Sequence, residues 1–107
     1  MTRVAVIGGG AWGTALADLL ARKGEFAAVT LWAREADVVE SINRDHANPT
    51  FLPGAILSPA LRAQADLGAA VREADVVVSA GPSHAVREVM TRVRGLMARK
   101  ALVVSVS

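Results

Sequence analysis

Cysteine is absent from the 107 residues, so neither a disulfide nor a thiolate-ligated metal site can form. No apolar run reaches the roughly 18 residues that a membrane-spanning helix needs. The amino end leads straight into a short apolar segment and shows no signal-peptide pattern. These absences predict a cytoplasmic protein with no membrane insertion, and the length leaves room for a single domain.

Aromatic residues are also few, with two Trp, two Phe and no Tyr, and the formal net charge is only +2. The arginines are spread from Arg3 to Arg99 rather than clustered, so no nucleic-acid partner is predicted. A small anionic ligand such as a phosphate compound fits this balance better. Two histidines, His46 and His84, stand far apart in a chain without cysteine, so no metal site is predicted. No serine has a base and an acid at a recognisable spacing, so no catalytic residue is predicted either.

Apolar β-branched segments alternate with helical patterns along the whole chain. Strands are predicted at 3–7, 28–32, 61–65, 76–79 and 102–106, and helices at 11–22, 35–43, 67–73 and 83–97. Residues 48–59 contain three prolines and one glycine and are predicted to form a loop. This alternation predicts an α/β fold, a doubly wound parallel sheet with helices on both faces.

Several side chains have predicted places in these elements. Leu16, Leu19 and Leu20 share one face of the first helix, which is predicted to stop at Gly24. Asp66 is predicted to cap the third helix, and Trp32 to lie in the core. The last helix carries an apolar face made of Val86, Val89, Met90, Val93 and Leu96.

The segment Gly8 to Gly13 satisfies the pattern G-x-G-x-x-G between a predicted strand and a predicted helix. Gly8 is expected to permit the tight turn, Gly10 to leave room for a pyrophosphate, and Gly13 to let the helix approach the sheet. The amides of Ala11, Trp12 and Gly13 would then face the phosphates at the positive end of the helix dipole. The alternative is a structural turn without a ligand.

Two other kinds of nucleotide site also use a glycine-rich turn after a strand. A P-loop needs Lys before Ser or Thr, but Gly13 is followed directly by Thr14, which excludes that site. A methyltransferase that binds S-adenosylmethionine usually has an acidic residue at the end of the second strand, for the ribose hydroxyls. Here that position is Arg34.

Arg34 bears on the choice between NAD and NADP. A carboxylate at this position accepts hydrogen bonds from the adenosine ribose of NAD, whereas a guanidinium pairs with the 2′-phosphate of NADP or stacks on adenine. The sequence therefore favours NADP over NAD. Glu35 remains an alternative acceptor for the ribose hydroxyls, which would allow NAD to bind. If no ligand binds here, Arg34 and Glu35 are interpreted as a solvated ion pair at the start of a helix.

Taken together, these segments resemble the cofactor-binding N-terminal part of bacterial NAD(P)-dependent glycerol-3-phosphate dehydrogenases. The resemblance is carried by Val6 through Ala17, Leu31 through Arg34, Asn48 with Phe51 through Gly54, Asp66-Leu67, and Pro82-Ser83-His84. It implies an oxidoreductase that interconverts dihydroxyacetone phosphate and sn-glycerol 3-phosphate for glycerophospholipid synthesis. It also implies cofactor contacts from Ala11, Trp12, Arg34, Phe51 and Pro82.

The chain departs from the family pattern in three ways. Ala11 stands where the family often has Ser, and Gly81 stands where a larger apolar residue usually precedes the Pro-Ser pair. The helical domain that carries the family's catalytic lysines and substrate contacts would follow Ser107. Residues 1–107 are therefore predicted to be an NAD(P)-binding Rossmann domain without its C-terminal substrate domain. The alternatives are the cofactor domain of another two-domain hydroxy-acid or sugar-acid dehydrogenase and a non-catalytic NAD(P)-binding module.

Overall fold

Strands and helices alternate in the computed structural model, which describes residues 2–8, 10–80, 83–96 and 101–106, with the backbone alone for 83–87. Each element lies within two residues of its predicted bounds. In chain order they are β1 (Arg3–Ile7), α1 (Ala11–Lys23), β2 (Ala28–Trp32), α2 (Ala36–Asp45), β3 (Leu61–Gln64), α3 (Leu67–Val71), β4 (Val76–Ser79), α4 (Ser83–Leu96) and β5 (Leu102–Ser105).

The five strands form one parallel sheet in the order β3-β2-β1-β4-β5. Their carboxyl ends are level, because Ile7 pairs with both Trp32 and Ser79, Trp32 pairs with Gln64, and Ser79 pairs with Ser105. Strands β2 and β3 lie on one side of β1, and β4 and β5 lie on the other side. This arrangement confirms the doubly wound fold, and it leaves a crevice at the carboxyl ends of β1 and β4, where ligands of such sheets bind.

Each face of the sheet is covered by two helices. Alternate residues of β1 point to opposite faces, so Val4 and Val6 join the core under α1 and α2, whereas Ala5 and Ile7 join the core under α3 and α4. Both cores are apolar and both reach β1, which places this strand at the centre of the molecule.

Helix α1 packs on the sheet through small side chains. Its buried residues are Gly13, Thr14, Ala17 and Ala21. The leucines that share a face in the sequence pattern lie to one side of this surface: Leu16 and Leu20 are half-buried against the first core, and Leu19 is 55% exposed. The side of α1 that packs on the sheet is therefore the side with small residues, which lets the helix approach the sheet closely.

Predicted end signals and core positions are confirmed at three residues. Gly24 ends α1 in the left-handed conformation, with φ of 68°, and its amide donates to the carbonyl of Ala21. The Asp66 carboxylate caps α3 by accepting a hydrogen bond from the amide of Ala69 at 3.0 Å. Trp32 is buried, and its indole Nε1 donates to a backbone carbonyl beyond β3 at 2.9 Å.

The apolar face of α4 is only partly covered. Val89 and Val93 are buried in the second core and Met90 packs against it, but Leu96 is 40% exposed. The side chain of Val86 lies outside the described residues. The exposure continues into β5, where Leu102 is 60% exposed, because β5 forms one edge of the sheet.

Candidate functional site

The turn between β1 and α1 lies at the carboxyl edge of the sheet. The amide of Gly8 still donates to the carbonyl of Trp32 at 3.0 Å, which continues the pairing of β1 with β2. Gly8 has a φ of 126°, a left-handed conformation that favours glycine. Gly10 is the N-cap of α1, and its carbonyl accepts the amide of Thr14 at 2.9 Å. The chain therefore leaves the sheet and enters the helix within a few residues, as the glycine motif predicts.

Two glycines of this turn have different surroundings. A Cβ on Gly13 would collide with the carbonyl oxygen of Gly8 and would lie 3.6 Å from the Cβ of Ala80. A Cβ on Gly10 would meet no described atom within 4 Å. Gly13 is therefore required for the close packing of α1, whereas Gly10 borders open space, which is the room that a ligand phosphate needs.

The amino end of α1 has the properties of an anion site. The first amides of an α-helix have no carbonyl one turn earlier to accept their hydrogen bonds. Here the N-cap glycine supplies no capping side chain, and no acidic residue stands in the first turn. Ala11 is exposed and Trp12 is 58% exposed. The positive end of the helix dipole is thus left for an anion at the mouth of the crevice.

Arg34 stands just beyond the carboxyl end of β2. Its predecessor Ala33 is buried, and the amide of Ala33 donates to Gln64, so the backbone leading to Arg34 is fixed to β3. The side chain of Arg34 is exposed. Within the described part of the chain, neither Arg34 nor Glu35 forms an ion pair, so the Arg–Glu pair considered from the sequence is not formed. The guanidinium is therefore available to an anion at this edge.

Phe51 is brought close to the glycine turn by a buried hydrogen bond that the sequence analysis missed. The side-chain amide of Asn48 donates to the hydroxyl of Thr14 at 2.9 Å, although 34 residues separate them. Asn48 and Thr14 are 1% and 0% exposed. The carbonyl of the Asn48 side chain accepts the amide of Phe51 at 3.3 Å, and the ring of Phe51 packs at the border of the first core. The loop after α2 therefore lies against the first turn of α1.

The buried hydroxyl of Thr14 also bears on the excluded P-loop. In a P-loop the corresponding hydroxyl faces the nucleotide and its metal ion. Here the hydroxyl is enclosed and bonded to Asn48. The enclosed hydroxyl and the missing lysine both indicate that this turn is not a P-loop.

Other predicted features lie outside the site or outside the described residues. Gly9 and Pro82 are not among the described residues, and neither is the side chain of His84. In the described ranges, no group of three or more His, Cys, Asp or Glu side chains could hold a metal ion. None of the helices in those ranges has the length and apolar character to cross a membrane.

Comparison with known proteins identifies the family. The family model described as NAD-dependent glycerol-3-phosphate dehydrogenase N-terminus matches residues 3–107. The chain belongs to this family. The resemblance seen in the sequence is confirmed.

Similarity to individual members is high but covers only part of each. A relative from Rhodospirillum rubrum named glycerol-3-phosphate dehydrogenase [NAD(P)+] is 52% identical over 98 residues, which are 92% of this chain and 28% of the relative. The structure of glycerol-3-phosphate dehydrogenase from Coxiella burnetii is 36% identical with a TM-score of 0.86, covering 97% of this chain and 31% of that one. The structure of the enzyme from Saccharomyces cerevisiae is 31% identical with a TM-score of 0.89, covering 97% and 33%. The chain thus spans about a third or less of the length of these relatives.

Proposed function

We propose that residues 1–107 form the NAD(P)-binding domain of an enzyme that interconverts dihydroxyacetone phosphate and sn-glycerol 3-phosphate. The observation that carries this proposal is the glycine turn, which leaves the amino end of α1 open at the crevice of the sheet. Membership of the family described above supports the same cofactor and the same reaction.

The pyrophosphate is proposed to lie over Gly10. The amides of Ala11 and Trp12 would donate to its oxygens, and the dipole of α1 would favour its negative charge. Gly8 and Gly13 act indirectly, since they shape the turn and set the depth of the helix. The open space at Gly10 is the feature that a purely structural turn does not require.

The adenosine half is proposed to extend toward Arg34. Arg34 is exposed, has no ion pair with another described residue and follows the strand next to β1. Its guanidinium matches the geometry of a phosphate group and would favour NADP over NAD. Phe51 and Pro82 are proposed as apolar contacts, Phe51 because the loop that carries it is tied to the first turn of α1.

The nicotinamide half is proposed to reach the crevice between β1 and β4. When bound, the cofactor supplies the hydride-transfer chemistry, and this domain supplies binding and orientation. Substrate contacts and catalytic groups are proposed to belong to a second domain, because the chain matches only 28% of the length of its Rhodospirillum relative. The whole enzyme would act in the cytoplasm and provide sn-glycerol 3-phosphate as the backbone of glycerophospholipids.

Calorimetric titration of the 107-residue chain with NADPH, NADH and ATP tests the proposal. We expect both dinucleotides to bind, NADPH more tightly, and 2′,5′-ADP to compete with NADPH because it carries the adenosine half with its 2′-phosphate. ATP is the control for simple charge attraction and is expected to compete poorly. Absence of binding by both dinucleotides, or equal competition by ATP, would refute the proposal.

A further inference from the structure

One side of α1 holds the loop that follows α2 through a row of polar side chains spaced four residues apart, one per turn. The row consists of Thr14, Asp18 and Arg22, which lie on the same side of the helix. Three hydrogen bonds join it to the loop: Asn48 Nδ2 to Thr14 Oγ1 at 2.9 Å, Ser58 N to Asp18 Oδ1 at 2.7 Å, and Arg22 Nη2 to Ile56 O. We refer to these as the three loop anchors.

The anchors differ in burial and in distance from the glycine turn. Asp18 and Arg22 also pair with each other, and the side chain of Arg22 is 52% exposed to solvent. The Thr14–Asn48 anchor is fully buried and stands in the turn of α1 that follows Gly10. Of the three anchors, it is the one that lies next to the proposed phosphate site.

Asn48 also organises the loop itself. Its side-chain carbonyl accepts the amide of Phe51 at 3.3 Å, and its backbone carbonyl accepts the amide of Leu52 at 2.8 Å. One side chain therefore bonds to α1 with its amide nitrogen and to Phe51 with its oxygen. The position of the Phe51 backbone relative to the helix is set by these two bonds.

We propose that Asn48 is a positioning residue for the dinucleotide: through Thr14 it fixes Phe51 beside the phosphate-binding turn. This inference rests on the proposed function, since it takes the adenosine half of NAD(P) as the group that Phe51 contacts. Asn48 is itself only 1% exposed, so its side chain is enclosed by the protein. We expect its effect on affinity to pass through Phe51, whose amide it holds.

The test is a double-mutant cycle on NADPH affinity, measured by calorimetry on the 107-residue chain. Asn48→Ala and Phe51→Ala are each expected to weaken binding about fivefold, within the range of a lost hydrogen bond or aromatic contact. In the Phe51→Ala background, Asn48→Ala is expected to weaken binding less than about twofold further, because the group it positions is already gone. Losses that multiply in full, or an Asn48→Ala variant that binds like the parent, would overturn the inference.

Thr14 provides a second, conservative pair of variants that decides the matter if Asn48→Ala does not fold. Thr14→Ser keeps the acceptor for Asn48 and is expected to retain the affinity of the parent, whereas Thr14→Val keeps the shape but loses the acceptor and is expected to bind about fivefold more weakly. Equal affinities of these two variants would overturn the inference.

Arg22→Met is the matched control, because it removes a loop anchor remote from the glycine turn. It is expected to bind NADPH like the parent. A loss of affinity equal to that of Asn48→Ala would overturn the inference, because it would show that any loosening of the loop weakens binding.

If the parent chain binds no dinucleotide, the proposed function fails together with this inference. If the parent binds and Asn48→Ala binds equally well, the inference alone fails.

Discussion

Adding one methyl group at Gly10 or at Gly13 is expected to damage different properties of the protein. A Cβ at Gly13 would collide with the backbone oxygen of Gly8, which cannot rotate away as a side chain can. Helix α1 would have to withdraw from the sheet and loosen the packing of Ala17 and Ala21 on the same face. A Cβ at Gly10 would point into open space from a residue whose φ of −70° suits alanine.

The expected magnitudes follow from these surroundings. Overpacking of this kind costs about 3 kcal/mol, and the better helix propensity of alanine returns about 1 kcal/mol, so Gly13→Ala should lose about 2 kcal/mol. For a domain of this size that loss lowers Tm by roughly 10 °C. At Gly10, the cost of alanine at an N-cap is about 0.5–1 kcal/mol, and the reduced freedom of the unfolded chain offsets it by a similar amount. Gly10→Ala should therefore leave Tm within about 4 °C of the parent and weaken NADPH binding more than about tenfold.

Thermal unfolding by circular dichroism and NADPH titration by calorimetry would be run on the parent and both variants. The reasoning requires opposite outcomes: Gly13→Ala is destabilised, whereas Gly10→Ala is stable but binds poorly. If Gly13→Ala melts with the parent, the close approach of α1 does not constrain that position. If Gly10→Ala binds NADPH like the parent, the phosphates lie elsewhere.

Three further predictions concern Arg34, the helix cap at Asp66 and the activity of the 107-residue chain. Arg34→Ala should weaken NADPH binding about tenfold, leave NADH binding nearly unchanged and lose this difference at high salt; equal weakening of both cofactors would show that Arg34 contacts a group they share. Asp66→Ala removes the cap that accepts the amide of Ala69 and should lower stability by about 1 kcal/mol without changing NADPH affinity; an unchanged Tm would contradict the role of the cap. The 107-residue chain mixed with NADPH and dihydroxyacetone phosphate should not oxidise the cofactor, because the catalytic groups are proposed to lie in a second domain. The chain matches only 28% of the length of its Rhodospirillum relative. Steady oxidation that depends on the substrate would contradict the proposed need for that domain.

The strands, the parallel doubly wound sheet and the glycine turn were predictable because they follow from segments of a few residues and from their alternation along the chain. The run Arg3–Ile7 is apolar and β-branched, and it leads directly into glycines whose spacing reports a turn. The cap at Asp66 and the stop at Gly24 are likewise properties of a few consecutive residues.

Two features were not predictable, for different physical reasons. The buried side of α1 was not predictable because an apolar pattern points to the leucines as the packed face. The helix instead packs through its small residues, since the backbone at Gly8 and Gly13 sets a short distance between helix and sheet. The Thr14–Asn48 bond joins residues 34 positions apart, and nothing local in either segment specifies the partner.

The close packing of α1 on two sides has a practical consequence for labelling the molecule. The sheet holds the helix along the face that begins at Gly13, and the loop holds it along the row that begins at Thr14. The remaining side carries Leu19, which is 55% exposed. Because the sequence contains no cysteine, Leu19→Cys would introduce a single thiol on a helix fixed on both other sides. A fluorophore or spin label there would report on the helix that begins at the glycine turn, while leaving both packed surfaces intact.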